Sequence, residues 1–273
     1  MSRAYSLAYL TSYTCTPPEA IRVASQAGYD FVGLRLWPNA PGAPQQFLIY
    51  RPDVLRETLA AQRDTGVGVF DIEIIRIGEN FDPHIYRPLL DAGAALGAKA
   101  VLVAGDDLDE MRLVDSYARL CEFMRPFGIT ADLEFMPWTT VKTAGDAVRV
   151  IQSAGSPSNA GILVDALHFG RSHTTLADIR AIPKELLHYA QICDAQAGTD
   201  FTTEQLIHTA RCERLQAGEG TIDVTGLFQS LPSDLPISVE VIHLPRMADM
   251  SPLAWARECL RVSQEQEAAW TFL

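Results

Sequence analysis

Short aliphatic runs alternate along the whole chain with longer stretches whose apolar positions recur every three or four residues. The short runs are YSLAYL, FVGLRL, VGVFDIEIIRI, AVLVAG, ADLEFM, GILVDA, HYAQIC and PISVEV. Their near-continuous apolar character predicts strands covered on both faces, as in a parallel sheet. The longer stretches PPEAIRVASQAG, RPDVLRETLAAQRDTG, YRPLLDAGAALG, MRLVDSYARLCEFMRPFG, AGDAVRVIQSAG, TLADIRAI and TEQLIHTARC predict amphipathic helices. Several of these stop at a glycine before the next strand, at Gly28, Gly66, Gly97, Gly128 and Gly155, where a left-handed residue closes a helix. Eight such units in 273 residues predict an α/β fold, a single (β/α)8 TIM barrel spanning residues 1–273 as one domain. An open doubly wound sheet is the alternative. Against it, no GxGxxG follows the first strand and no P-loop occurs anywhere.

Composition narrows the class. With 48% hydrophobic residues the chain can bury a large core, and a formal net charge of −12 argues against nucleic acid and anionic membrane surfaces as partners. Cys15, Cys121, Cys193, Cys212 and Cys259 are scattered and odd in number, which predicts reduced thiols. No secretory leader or long apolar segment is evident, so the expectation is a soluble cytoplasmic protein; pairing into a homo-oligomer is left open.

The polar residues on the last four strands carry the chemistry. Glu134, Asp165, Gln191 and Glu240 each fall at or near the C-terminal end of a predicted strand, the end where such barrels act. Three carboxylates crowded together repel one another and lose hydration unless a cation lies between them. These hard oxygen donors suit one divalent ion, Mn²⁺ or Mg²⁺, with Co²⁺ or Zn²⁺ as alternatives. His168, three residues beyond Asp165, can reach the same place from the following loop. Arg35 and Arg76 near the ends of the second and third strands, Lys142, Arg211 and the ring of Trp138 are candidate substrate-binding residues. The segments 37–50 and 195–223 each follow a strand and are candidates to border the site. The tail EQEAAWTFL offers Trp270 and Phe272 either to a partner or to the barrel's own surface.

The motifs DLEFMPW, ILVDALHFG, YAQICDA, AGEGTID and ISVEV together resemble the xylose-isomerase-like TIM-barrel superfamily, which includes sugar isomerases and epimerases and several dehydratases. The resemblance implies a metal held by Glu134, Asp165, Gln191 and Glu240. Gln191 stands where the ketose 3-epimerases carry histidine, and is similar in that respect to the 3-dehydroshikimate dehydratase branch. The activity the superfamily resemblance implies is a metal-dependent isomerase or epimerase acting on a sugar or related keto-polyol. A 3-dehydroshikimate or inosose dehydratase is the alternative, and a sugar-binding barrel without turnover a third reading. In either enzyme Glu134 and Glu240 form the expected acid/base pair, with His168 a candidate acid for a leaving hydroxyl. The partner is a small polyhydroxy carbonyl compound.

Overall fold

The computed structural model describes residues 3–39 and 47–270. Eight parallel strands close into a barrel in chain order: β1 (Tyr5–Leu7), β2 (Phe31–Arg35), β3 (Gly68–Ile77), β4 (Ala100–Gly105), β5 (Thr130–Glu134), β6 (Ala160–Asp165), β7 (Ala190–Ile192) and β8 (Ile237–Val239). Closure comes from β1 pairing β8, with Tyr5 opposite Ile237 and Leu7 opposite Val239. Closing the sheet removes its edges, and an outer ring of helices covers the strand faces that point away from the axis. All eight predicted strands are present, and the open-sheet alternative falls.

The seven predicted helices form, and Gly28, Gly66, Gly97, Gly128 and Gly155 all take the left-handed backbone that ends them. Further helices lie outside the predicted set: Ala166–Arg171, Val224–Ser230 and the long Pro252–Trp270. The first two are too short to display a period. The last buries Trp255, Ala256, Cys259 and Leu260 along one stripe, then runs into the polar sequence SQEQE, which blurs the pattern. It docks through Trp255 Nε1, which donates to the Val241 carbonyl at 3.0 Å, and at its end Trp270 stacks on Phe228 with ring centroids 5.0 Å apart. Trp270 thus packs back on the barrel; Phe272 and residues 40–46 of the expected site-bordering segment lie outside the described residues.

Two apolar clusters divide the core. The larger fills the space between strands and helices. The smaller, around Phe70, Leu102, Leu163 and Tyr189, sits inside the barrel. The interior also holds buried carboxylates below the mouth. Asp71 packs against Gly33, where an added Cβ would come within 2.8 Å of its Oδ1, and Asp132 packs against Gly161, where a Cβ would collide with both Asp132 and His188. Glycine at these two positions is what leaves room for the acids. All five cysteines are free thiols, as expected. No helix among the described residues is long and apolar enough to cross a membrane.

His188 Nδ1 lies 2.9 Å from Asp132 Oδ1. Burial acts to lower the imidazole, but the hydrogen bond and charge of Asp132 outweigh it and hold His188 above its ordinary 6.5. A group raised on folding stabilises fully below its unfolded value and loses that contribution as pH climbs through the folded one. The thermal midpoint of the native chain relative to His188→Gln should therefore be highest below about pH 6.5 and converge on the variant's above the native His188 value. Melting curves from pH 5.5 to 8.5 check this; a constant difference across that range would contradict it.

Candidate active site at the barrel mouth

Parallel strands of a barrel end together, so residues at their C-terminal ends meet at one mouth. Glu134 closes β5, Asp165 closes β6, Gln191 lies within β7 opposite Asp165, and Glu240 follows β8 directly. All four are at most 3% exposed, and His168, on the helix that starts after Asp165, is 2% exposed. The cavity there encloses about 490 Å³ including its open mouth, and Glu134, His168, Arg214 and Glu240 form part of its lining.

Local structure fixes each group. Asp165 is the N-cap of Ala166–Arg171: its Oδ1 accepts from the backbone N–H groups of Leu167 at 2.6 Å and His168 at 3.2 Å. That cap turns the chain so that His168 Nε2 lies 3.5 Å from Glu134 Oε1, and Trp138 meets the imidazole edge-on at 4.9 Å. Glu134, Asp165 and His168 bring one ligand atom each to within 4.8 Å of one another. Gln191 donates from Nε2 to Glu240 Oε1 at 3.0 Å, which leaves its Oε1 buried without a hydrogen-bond partner.

A guanidinium lies among these acids. Arg214, 3% exposed, donates from Nη1 to Asp165 Oδ2 at 2.6 Å and from Nη2 to Glu240 Oε2 at 2.7 Å. Burial drives the three carboxyls up. Glu134 stays well above its usual range because the charges of Asp165 and Glu240 add to burial, and Glu240 does so although Arg214 opposes the shift. Asp165 goes the other way: burial raises it, but Arg214 and the cap N–H groups bring it below its ordinary value. Burial takes His168 down to about 4, so its imidazole is neutral at pH 7.

The rim is basic. Arg35 binds Glu73 at 2.6 Å and stacks over Tyr9, Arg76 forms a two-toothed pair with Asp106, and both line the cavity together with Trp138 and Arg211. Arg211 makes no ion pair among the described residues; burial and the nearby charges of Arg76 and Arg35 lower its guanidinium from the ordinary value. Lys142 is the one predicted substrate-binding residue that the fold keeps away. It is exposed at the start of helix Ala144–Ser153, where its N–H meets Asp146, and it does not line the cavity.

The sequence offers Arg214, with Arg211, as a cation in the loop before GEGTID that could grip substrate, and Asp194 as a neighbour of the expected ligand Gln191; the bridge made by the one and the loop held by the other emerge only in the fold. The Asp194 carboxylate accepts the N–H groups of Ala195, Gly218, Gly220 and Ile222, so it folds the AGEGTID loop around itself. Its backbone pairs with Leu215, the neighbour of Arg214. An acid three residues after Gln191 and the two glycines of the later GEG segment are the signal for such an anchored loop.

A closed eight-stranded barrel with buried acids at the strand ends is the architecture of the (β/α)8 enzymes. A family model described as xylose isomerase-like TIM barrel matches residues 21–265, and the chain belongs to that family. A search of curated protein sequences returned no match. Among solved structures, the chain is similar to the IolI protein with a bound zinc atom, at TM-score 0.78 and 16% identity, over 98% of this chain and 99% of that one. It is similar to the probable 3-DHS dehydratase AsbF from Bacillus anthracis, at TM-score 0.77 and 13% identity, over 96% and 98%. The D-allulose 3-epimerase from Methylomonas sp. superposes at TM-score 0.71 with 16% identity, over 97% of each chain. At these identities the likeness is one of fold.

Asp194→Ala should strand four backbone donors and lower stability by about 2–3 kcal/mol. Urea unfolding midpoints of the two proteins measure this, and a loss below about 0.5 kcal/mol would remove Asp194 from its anchoring role.

Proposed function

We propose that this chain is a divalent-metal-dependent enzyme that removes the proton next to the carbonyl of a small polyhydroxylated compound. One buried mouth carries the reading: Glu134, Asp165 and His168 bring ligand atoms within 4.8 Å of one another, and Glu240 and Gln191 join them through the Arg214 bridge and the Gln191–Glu240 hydrogen bond. The donors fit such an ion: three carboxylates in mutual repulsion, and a buried Gln191 Oε1 with no partner. Glu134, Asp165, Gln191 and Glu240 would hold it, and Mn²⁺ or Mg²⁺ suits these oxygen ligands best. When bound, the ion supplies a Lewis acid for the carbonyl oxygen and offsets the negative charge left by the departing proton.

The two glutamates differ in their freedom. Both oxygens of Glu240 accept hydrogen bonds or ion pairs, from Gln191 and Arg214, whereas Glu134 has only His168 within ion-pair distance among the described residues. An isomerase or epimerase that returns the proton from the opposite face needs a second free carboxylate. A dehydratase needs one base and one neighbouring acid for the departing hydroxyl: the neutral His168 imidazole can take a proton, and the Glu134 carboxyl, held well above its usual range, can give one. This asymmetry favours dehydration. Arg211, the rim guanidinium with no ion pair among the described residues, suits a substrate bearing a carboxylate, so a cyclic hydroxy-keto acid such as 3-dehydroshikimate is the compound to test first.

Proton NMR in D2O with Mg²⁺ present, on 3-dehydroshikimate, inosose and a panel of ketoses, tests the reading. Loss of water from 3-dehydroshikimate with growth of aromatic signals is expected, and Glu134→Gln should slow it by about 10²–10⁴-fold. Deuterium entering an intact ketose would establish an isomerase or epimerase instead. Thermal stabilisation by a ligand with no exchange or turnover on any compound would make this a binding barrel and overturn the proposal.

A further inference from the structure

We infer that Arg214 is a positioning residue for the metal ligands, a clamp that fixes Asp165 and Glu240 relative to each other; the inference rests on the metal-site reading above. One guanidinium bridges two carboxylates from the ends of β6 and β8, either side of β7, at 2.6 Å to Asp165 Oδ2 and 2.7 Å to Glu240 Oε2. Each of these acids is also held on its other oxygen: Asp165 Oδ1 by the backbone N–H groups of Leu167 and His168, Glu240 Oε1 by Gln191 Nε2. Two points of attachment leave a carboxylate little rotational freedom; Asp165 Oδ1 is filled by its two N–H donors, while Asp165 Oδ2 and both Glu240 oxygens each keep a further lone pair for an ion.

The clamp is itself held. Arg214 Nε donates to the Ala210 carbonyl at 3.0 Å, and Nη1 also reaches Cys193 Sγ at 3.3 Å. Its backbone N–H donates to Ile242 just beyond Glu240 at 2.7 Å, and Leu215 exchanges two backbone hydrogen bonds with Asp194, three residues after Gln191. The segment carrying the guanidinium is therefore tied to the continuations of β7 and β8, the same strands that deliver Gln191 and Glu240. An ammonium balances the charge from a single point, whereas the planar fork gives each acid its own nitrogen in a fixed geometry. Burial of the whole group excludes water that would otherwise screen these contacts.

Titration of chelator-treated protein with Mn²⁺, read by the electron paramagnetic resonance signal of the free ion, tests the clamp without any substrate. Arg214→Lys, which keeps the charge and loses the bridge, should bind Mn²⁺ about 10–100-fold more weakly than the native chain and give a broadened spectrum of the bound ion. Arg214→Gln should lose at least as much; should it fail to fold, the lysine variant alone decides. Binding by Arg214→Lys equal to that of the native chain would overturn the clamp. Tighter binding by either variant would also overturn it, since the arginine would then be a competitor for the acids. Absence of Mn²⁺ binding by the folded native chain would instead remove the metal reading itself.

Discussion

Everything at the mouth of this barrel answers to one constraint: Glu134, Asp165 and Glu240 are buried within reach of one another's charge. Carboxylates stripped of water in a low-dielectric interior repel strongly, and each is costly to keep ionised without a cation beside it. The chain supplies part of the answer in Arg214, which compensates Asp165 and Glu240 and leaves Glu134 outside the pair. One arginine among three acids is an incomplete balance. The raised proton affinities of Glu134 and Glu240 express that deficit, and a divalent ion is the natural group to remove it.

The same constraint explains the loop beyond β7. A buried guanidinium must be delivered by backbone that does not itself leave polar groups unpaired. Asp194 solves that problem by taking four N–H groups of the loop on one carboxylate, while Arg214 and Leu215 bond the extensions of β8 and β7. The glycines of the AGEGTID segment allow the backbone to approach that carboxylate closely: a Cβ at Gly220 would collide with Asp194 and with the Ala195 carbonyl. Loop geometry and site electrostatics are therefore one design, with the acid that organises the loop three residues from a proposed ligand.

How much of this could be read beforehand follows from how local each signal is. Strands β1 to β8 and their order are legible because continuous apolar runs and glycine stops are written residue by residue. Glu134, Asp165 and Glu240 are legible as a set because a parallel barrel brings strand ends together, so position along a strand predicts convergence in space. Lys142 fails that logic: it follows a strand by eight residues, far enough for the chain to turn outward and start a helix. Arg214 fails it in the opposite sense. It lies 49 residues from Asp165 in sequence, and nothing in its neighbours RCERLQ marks it as buried, because the burial is created by antiparallel bridges to Asp194 and His243 that exist only in the folded chain.

The asymmetry between the two glutamates is what distinguishes this mouth from a symmetric acid/base pair. A carboxylate restrained on both oxygens changes protonation only by giving up a charged hydrogen bond, which in a buried site is worth about 1.5–3 kcal/mol. A carboxylate facing a neutral imidazole gives up far less. Glu240 is thus suited to staying fixed between Gln191 and Arg214, and Glu134 with His168 to exchanging a proton. The fold hosts many reactions on the same strand ends. On the proposed reading, the choice among them rests on which acid the arginine holds and which one it leaves to the histidine.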